Sequence, residues 1–253
     1  MGLARKNLGD VLHYFIPEEE QSAAREREPA AEPEQALALH GPAPRICVPA
    51  GPDRLLWCAL ALELAGALAA ESGSARVEAG FPASALWPAV PAVRVAAHAR
   101  SSEALASALS EIKSEEPALV LERPERLAAF LLRPERALLD GVLLPVDAST
   151  AGVGRALRLL REVAPALTRL PVLAWVIGAR TPREASELAE RLAAAARRQH
   201  GLEVEAAPAL PSDPALFRAL LRGESVHASD DGTSPGAREL RALSRRLALR
   251  RAA

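Results

Sequence analysis

The sequence predicts an α/β domain in three layers, with a mostly parallel β-sheet covered by helices on both faces. Short apolar runs alternate along the chain with longer segments in which apolar residues recur at helical spacing. Parallel strands that are buried on both faces have near-continuous apolar runs of this kind. Apolar residues make up 49% of the 253 residues, which is enough to bury one sizeable core.

The short apolar runs predict strands near residues 45–50, 75–79, 93–97, 118–122, 141–146, 171–177 and 203–207. The segments of helical period predict helices near residues 54–71, 102–114, 124–138, 151–166, 182–199, 213–222 and 235–250. Thr181 followed by Pro182 is a typical helix start, because the hydroxyl caps the first turn and proline fits there. The proline-rich segment 80–93 is predicted to be an irregular connection.

Two segments precede this domain, which is predicted to span residues 44–253. Residues 1–20 are predicted to form an amphipathic helix, and residues 21–43, rich in Ala, Glu and Pro, a flexible linker. A helix tethered in this way can dock in a groove of a separate protein, so its apolar stripe is the predicted partner-binding face. The alternative is that the helix folds back on its own domain. The stripe consists of Leu8, Val11, Leu12, Phe15 and Ile16.

Composition and charge argue against a secreted, membrane-spanning or metal-binding protein. A net charge of -1 provides no general attraction to nucleic acid or anionic membrane. The two cysteines, Cys47 and Cys58, lie in apolar segments, which favours a reducing, cytoplasmic location over a disulfide framework. The N-terminus lacks the apolar core of a signal peptide, and Glu63 interrupts the longest apolar run. No metal site is predicted, because the histidines are dispersed: His13, His40, His98, His200 and His227.

The segment between the first predicted strand and helix occupies the place of a phosphate-binding loop but lacks its residues. Such a loop reads G-x-x-x-x-G-K-[ST], in which backbone N–H groups and the lysine hold phosphates and the hydroxyl holds Mg²⁺. Leu56 replaces the second glycine, Trp57 the lysine and Cys58 the hydroxyl. The sequence therefore predicts a loop that does not bind nucleotide. Its residues are Gly51, Pro52, Asp53, Arg54, Leu55, Leu56, Trp57 and Cys58.

The surroundings of this loop carry a resemblance to a known family. Residues 45–51 followed by 60–65 resemble the first strand and helix of the MinD/ParA family of P-loop ATPases, of the SIMIBI class. Residues 118–124 are similar to the family strand that ends in Asp-Thr-Pro, with Glu122 at the metal-side aspartate. Residues 211–223 look like a late loop and helix of MinD-like proteins. The resemblance covers roughly residues 44 to 248 and implies a P-loop NTPase-like fold.

The departures from the family pattern imply a pseudo-ATPase. The family's signature lysine after the first glycine is Pro52, and two further glycines are Asp53 and Arg54. We therefore expect no catalytic residue, no cofactor and no metal, and we interpret Glu122 as a strand-end residue paired to an arginine. Asp147 and Ser149 lie where α/β sheets tend to place ligands, but a helix N-cap by Ser149 or Thr150 is the preferred interpretation.

The predicted function is a non-catalytic regulator or adaptor in bacterial spatial organisation, such as motility, polar assembly or segregation. It would bind a partner protein through the N-terminal helix and form a homodimer, or a heterodimer with an active family member. The alternative is a divergent ATP-binding partition-type ATPase that binds DNA or membrane through a basic C-terminal helix. The basic residues of that helix are Arg241, Arg245, Arg246, Arg250 and Arg251.

Overall fold

Parallel pairing joins all the strands of the domain into one eight-stranded sheet in the order β3-β2-β4-β1-β5-β6-β7, with β8 also paired to β6. This computed structural model describes residues 43–50, 54–81, 90, 92–98, 101–167, 170–225 and 234–250, without the side chains of residues 54, 55, 249 and 250. The strands are β1 Arg45–Pro49, β2 Ala75–Ala79, β3 Val93–Ala97, β4 Ala118–Glu122, β5 Gly141–Asp147, β6 Val172–Ala179, β7 Val204–Ala206 and β8 Leu210–Pro211.

Seven α-helices connect or follow these strands within the described ranges. They are α1 Arg54–Ser72, α2 Ser102–Ser110, α3 Pro124–Leu131, α4 Thr150–Val163, α5 Pro182–His200, α6 Pro214–Leu221 and α7 Pro235–Arg250. The predicted fold class is confirmed, since helices cover both faces of the parallel sheet. The start of α5 is confirmed too, because Thr181 Oγ1 accepts a hydrogen bond from the Glu184 N–H at 3.1 Å.

Three predicted helices end clearly earlier in the structure, and proline explains two of them. The third, predicted over residues 102–114, ends at Ser110. The helix predicted over residues 124–138 stops at Leu131 and continues as a 3₁₀ turn, Pro134–Leu138. Arg133 is extended, with φ -76° and ψ 154°, as expected for a residue before proline. The helix predicted over residues 151–166 ends at Val163, where a 3₁₀ turn containing Pro165 follows. The two-residue strand β8 was not predicted, because so short a segment has no period.

The core lies in two layers, one on each side of the sheet. One cluster joins α1, α6 and α7 to the sheet, and the other joins α2, α3, α4 and α5 to the opposite face. Helix α1 is buried all round, with Leu60, Leu62 and Leu64 fully inaccessible, because α7 covers its outer side. The charge within it, Glu63, is buried and accepts a hydrogen bond from Ser225 Oγ at 3.3 Å.

The N-terminal predictions lie outside the described residues. These are the helix over residues 1–20, with the stripe of Leu8, Val11, Leu12, Phe15 and Ile16, and the linker up to residue 42. Both stay predictions. None of the helices in the described part of the chain is long and apolar enough to cross a membrane.

Candidate functional site

The carboxyl ends of β1, β4 and β5 meet at the centre of the sheet and define the candidate site. Strand β1 lies between β4 and β5, and Pro49 at its end is in register with Glu122 of β4. The chain leaves β1 toward β2 and later returns across β1 to β5, so this is a topological switch point, where open α/β sheets bind ligands. The loop that follows β1 therefore lies at the position where a ligand would be held.

The described part of that loop shows how its large side chains are packed. Gly51, Pro52 and Asp53 lie outside the described residues, and of Arg54 only the backbone is described, as the start of α1. Leu56 is half-buried against the core. The predictions for the first five residues of the loop, Gly51 to Leu55, stay predictions, because only the backbone of Leu55 is described. The remaining residues, Leu56 to Cys58, are contained in the first turns of α1.

Trp57 takes the place of the phosphate-binding lysine and lies in the core. It is only 9% exposed and belongs to the apolar cluster formed by α1, α6, α7 and the sheet. Its indole Nε1 is buried without a hydrogen-bond partner among the described residues. The other tryptophan of the described core, Trp175 on β6, is 1% exposed. A side chain packed in this way has no charge to offer a phosphate.

Both cysteines are also core residues with free thiols. Cys47 is 0% and Cys58 1% exposed, on β1 and α1 respectively. Burial, with a smaller contribution from the charge of Glu122, raises the pKa of the Cys47 thiol. A raised pKa disfavours the thiolate, which is the reactive form. Cys47 therefore has the properties of a structural residue.

A cavity of about 380 Å³ opens beside Trp57, between the ends of β1 and β5 and helix α4. Its apolar wall includes Pro49, Ala50, Trp57 and Pro145. Among the described residues of its lining, three are acids and two are arginines, so carboxylates outnumber cations there. A polyphosphate would be repelled by such a lining unless the carboxylates were protonated. The charged lining residues are Glu125, Asp147, Arg155, Arg158 and Glu162.

The polar residues at the end of β5 serve the structure of α4. Ser149 Oγ accepts a hydrogen bond from the Gly152 N–H at 3.0 Å and so caps the helix. Asp147 lies 3.8 Å from the Arg155 guanidinium, in a partly exposed ion pair. The N-cap interpretation is thus confirmed for Ser149, and Thr150 is the first residue of the helix.

Glu122 at the end of β4 is fully buried, and its carboxylate oxygens are engaged by the protein itself. Oε1 accepts a hydrogen bond from the Arg123 N–H at 2.8 Å, and Oε2 accepts one from Ser102 Oγ at 3.2 Å. Arg126 Nη2 lies 3.7 Å from the same Oε2. Burial raises the pKa of Glu122, although these hydrogen bonds and the arginine act in the opposite direction.

Arg126 and Gly80 complete the surroundings of Glu122. Arg126 Nη1 donates to the Gly80 carbonyl at 3.0 Å, and Nη2 donates to Ser102 Oγ at 3.2 Å. A Cβ at Gly80 would lie 2.5 Å from Glu122 Oε1, so only glycine leaves room for the carboxylate. An arginine partner for Glu122 was predicted from the sequence without its number, and the parts played by Ser102 and Gly80 were not predicted. The spacing of four residues between Glu122 and Arg126 was the available signal.

A second buried carboxylate, Glu78 on β2, was not singled out from the sequence. Arg76 Nε lies 2.5 Å from Glu78 Oε1, and the His98 imidazole contacts Glu78 Oε2. The three residues join β2 to the end of β3, where the sheet has its edge. We interpret them as a structural ion-pair group, since buried charges are normally paired. Within the described ranges, no group of three or more His, Cys, Asp or Glu side chains could hold a metal ion.

The basic C-terminal helix, α7, uses its arginines within the domain. Arg245 lies 3.5 Å from Glu71 of α1, and Arg246 lies 3.6 Å from Glu205 of β7. Arg241 Nε donates to the Ala237 carbonyl at 3.4 Å. The side chain of Arg250 and the whole of Arg251 lie outside the described residues. The leucines on the other side of the helix are buried: Leu240, Leu243 and Leu247.

The residues present do not fit a nucleotide with its magnesium ion. The position of the phosphate-binding lysine holds a buried indole, and the carboxylate at the metal-side position already accepts hydrogen bonds from Arg123 and Ser102. The adjoining cavity has more carboxylates than arginines. The buried indole and the acidic lining oppose the binding of a polyanion, and the engagement of Glu122 within the domain opposes the binding of its cation.

Comparison with known proteins identifies the fold. No protein-family model and no curated sequence matches this chain. The MinD cell division protein of Aquifex aeolicus is similar in structure, with a TM-score of 0.57 at 16% identity over 81% of this chain and 97% of that chain. A MinC:MinD cell division complex of Aquifex aeolicus gives a TM-score of 0.55 at 15% identity, over 81% and 95%.

A ParA family ATPase of Chlorobium tepidum TLS also has this architecture, with a TM-score of 0.56 at 13% identity over 80% of this chain and 98% of that chain. These matches span nearly the whole of each known structure. The chain therefore has a MinD/ParA-like P-loop NTPase fold, as the sequence resemblance implied. At this level of identity, function has to be argued from the site itself.

Proposed function

We propose that this protein is a non-catalytic MinD/ParA-like regulator or adaptor, cytoplasmic and bacterial, that acts in spatial organisation by binding a partner protein. The spatial organisation that we propose is motility, polar assembly or segregation. The proposal combines the fold of an ATPase with a site that is unsuited to nucleotide.

The observation that carries the proposal is the burial of Trp57. In a working phosphate-binding loop, the lysine at this position extends toward the β- and γ-phosphates. Here the side chain is an uncharged indole that is 9% exposed and packed in the main apolar cluster. A single substitution cannot restore a lysine there without placing a charge in the core, which is costly. The replacement of the lysine by tryptophan is therefore also a change in how the domain is packed.

The state of Glu122 supports the same proposal. An ATPase of this fold needs a carboxylate at this strand end that is free to organise the metal ion and its water. In this chain the guanidinium of Arg126 already provides the neighbouring positive charge, at 3.7 Å. Ser102 and the Arg123 N–H provide the hydrogen bonds. The carboxylate therefore contributes to packing between β4, α2 and α3 in place of metal chemistry.

The proposed partner is a protein, and the proposed contact is the N-terminal helix. One structural neighbour was solved as a complex of MinC with MinD, so a protein-bound state is known for this fold. About two dozen residues separate the stripe of the predicted helix from the domain, so the helix can reach a separate molecule. A homodimer, or a heterodimer with an active family member, is part of the same proposal.

The alternative, a partition-type ATPase that binds DNA or membrane through α7, has less support. Arg245 and Arg246 each lie within 4 Å of an acid of the same domain, Glu71 and Glu205. Binding to phosphates would have to compete with these ion pairs. We therefore keep the adaptor as the proposed function.

The first expected outcome is that the purified protein does not bind or hydrolyse ATP. Titration calorimetry with ATP and Mg²⁺ should give no heat of binding, and phosphate release should equal the buffer blank. The Trp57→Lys variant should not gain binding, because Leu56 and Cys58 still replace the glycine and the hydroxyl. A MinD-type ATPase measured in parallel is the positive control. Micromolar affinity for ATP in the unmodified chain would refute the pseudo-ATPase proposal.

The second expected outcome concerns deletion of residues 1–20. We expect the melting temperature to change by less than about 2 °C, because the helix stripe belongs to a partner interface and not to the domain core. Burial of five apolar side chains against the domain would instead contribute on the order of several kcal/mol, and deletion would then lower the melting temperature visibly.

The matched control for partner binding is a single substitution in the full-length chain. Phe15→Glu places a charge on the stripe, whereas Asn7→Ala changes a residue beside it. A partner recovered by affinity capture and then purified should bind the unmodified chain and Asn7→Ala equally, and Phe15→Glu at least about tenfold more weakly. Equal binding by all three chains, or a large fall in stability on deletion, would remove the helix from the proposal.

A further inference from the structure

A second cavity, which shares no lining residue with the first, lies where α5 and α7 approach the connection between β7 and β8. Its volume is about 280 Å³. Its floor is built mainly from small or rigid apolar residues, among them Ala185, Ala207, Pro208 and Pro211. Ligand pockets usually measure roughly 300 to 1,000 Å³, so this one suits a single side chain better than a nucleotide.

The cavity has two charged lining residues, both from α7: Glu239 and Arg246. They are seven residues apart, so they lie two turns apart on one side of the helix. Arg246 already has a carboxylate neighbour, because its Nη2 lies 3.6 Å from Glu205 Oε2. Part of its charge is therefore compensated within the domain.

Glu239 has no such compensation in its side-chain contacts. It is half-buried, and it forms no hydrogen bond or ion pair with any described residue. Burial raises the pKa of Glu239, and the nearby charge of Arg238 only partly opposes this. A carboxylate that is half removed from water without a partner is unfavourable, and it becomes favourable when a cation binds beside it.

We propose that this cavity binds a basic side chain, arginine or lysine, presented by a partner protein. The aliphatic stem would lie on the alanine and proline floor, and the cationic head would meet the Glu239 carboxylate. The apolar floor thus suits the stem of the ligand, and the carboxylate suits its head. This inference goes beyond the proposed function, because it assigns a contact on the α/β domain that depends neither on the N-terminal helix nor on the absence of nucleotide binding.

The test is a titration of the ¹⁵N-labelled full-length chain with N-acetyl-arginine amide, followed by amide chemical shifts. We expect millimolar binding, with shift changes concentrated in the residues around the cavity, including Ser186 and Ala207. The neutral analogue N-acetyl-citrulline amide has nearly the same shape and should bind at least about tenfold more weakly, because it lacks the charge.

Two variants separate the cavity from general electrostatic attraction. Glu239→Gln keeps the shape of the side chain and should weaken binding of the arginine probe about tenfold. Glu190→Gln removes an exposed acid on α5 that does not line the cavity, and it should bind as the unmodified chain does. The proposal is overturned if the arginine probe causes no shifts, if the citrulline probe binds equally well, or if Glu239→Gln binds like Glu190→Gln. Any of these results would leave the pseudo-ATPase proposal standing.

Discussion

Trp57→Ala should lower the free energy of unfolding by about 3 to 5 kcal/mol, the range measured when a buried aromatic side chain is truncated in a core. The indole is 9% exposed and lies in the cluster that joins α1, α6 and α7 to the sheet. Truncation would remove its contacts and leave a cavity that the surrounding helices can fill only in part. Urea unfolding followed by circular dichroism measures the loss without depending on tryptophan fluorescence.

Two controls distinguish packing of the indole from other effects of the substitution. Trp57→Phe keeps a ring and removes the buried Nε1 donor, which has no partner among the described residues. We expect this variant to lower the free energy of unfolding by less than about 1.5 kcal/mol, because the loss of ring volume is offset by the loss of an unpaired polar group. Leu132→Ala, at a side chain that is 67% exposed, should change stability by less than about 0.5 kcal/mol.

The outcome for Trp57 bears directly on the proposed function. A cost below about 1 kcal/mol for Trp57→Ala would mean that the side chain is not an integral part of the core. The loop could then rearrange to admit a ligand, and the main support for a pseudo-ATPase would be lost. A large cost would mean that the domain depends for its stability on the residue that replaced the lysine.

Local patterns predicted the elements of this fold well because each strand is a compact apolar run. The run Ala118–Glu122, for example, is observed as β4 with the predicted bounds. Cap chemistry predicted a helix start correctly, as at Thr181. The predicted end of a helix was wrong where a proline follows it, as at Pro134. The order of strands cannot be obtained from such patterns, because it depends on which runs pair across long distances. The family resemblance implied a P-loop NTPase-like fold without a stated strand order, and the structure supplies that order.

The candidate site was only partly predictable for a related reason. The replacement of lysine by Trp57 is visible in a single line of sequence, and its apolar neighbours indicate burial. The partners of Glu122 come from three elements, since Gly80 follows β2, Ser102 begins α2 and Arg126 lies in α3. Their convergence depends on the register of β2 with β4. No spacing rule in the sequence specifies that register, so Gly80 could not be linked to Glu122 in advance.

Asp213→Ala is the other substitution from which we expect a large effect, about 3 kcal/mol of lost stability and a fall of roughly 10 °C in melting temperature. Asp213 is 4% exposed and caps α6, with Oδ1 accepting hydrogen bonds from the N–H groups of Ala215 at 2.9 Å and Leu216 at 3.2 Å. Its other oxygen, Oδ2, accepts a hydrogen bond from the Gly236 N–H of α7 at 2.8 Å. One carboxylate thus holds the starts of two helices together.

Alanine at position 213 would leave the Leu216 and Gly236 donors buried without this partner, which costs more than loss of an exposed cap. Thr181→Ala is the matched control, because Thr181 caps α5 by one exposed hydrogen bond and should cost only about 1 kcal/mol. Asp213→Asn keeps one oxygen acceptor but offers an amide to the second donor, so it should fall between the two. If Asp213→Ala and Thr181→Ala were equally mild, the bond to Gly236 would contribute nothing, and the other contacts of α7 would hold it in place, among them the buried Leu240, Leu243 and Leu247.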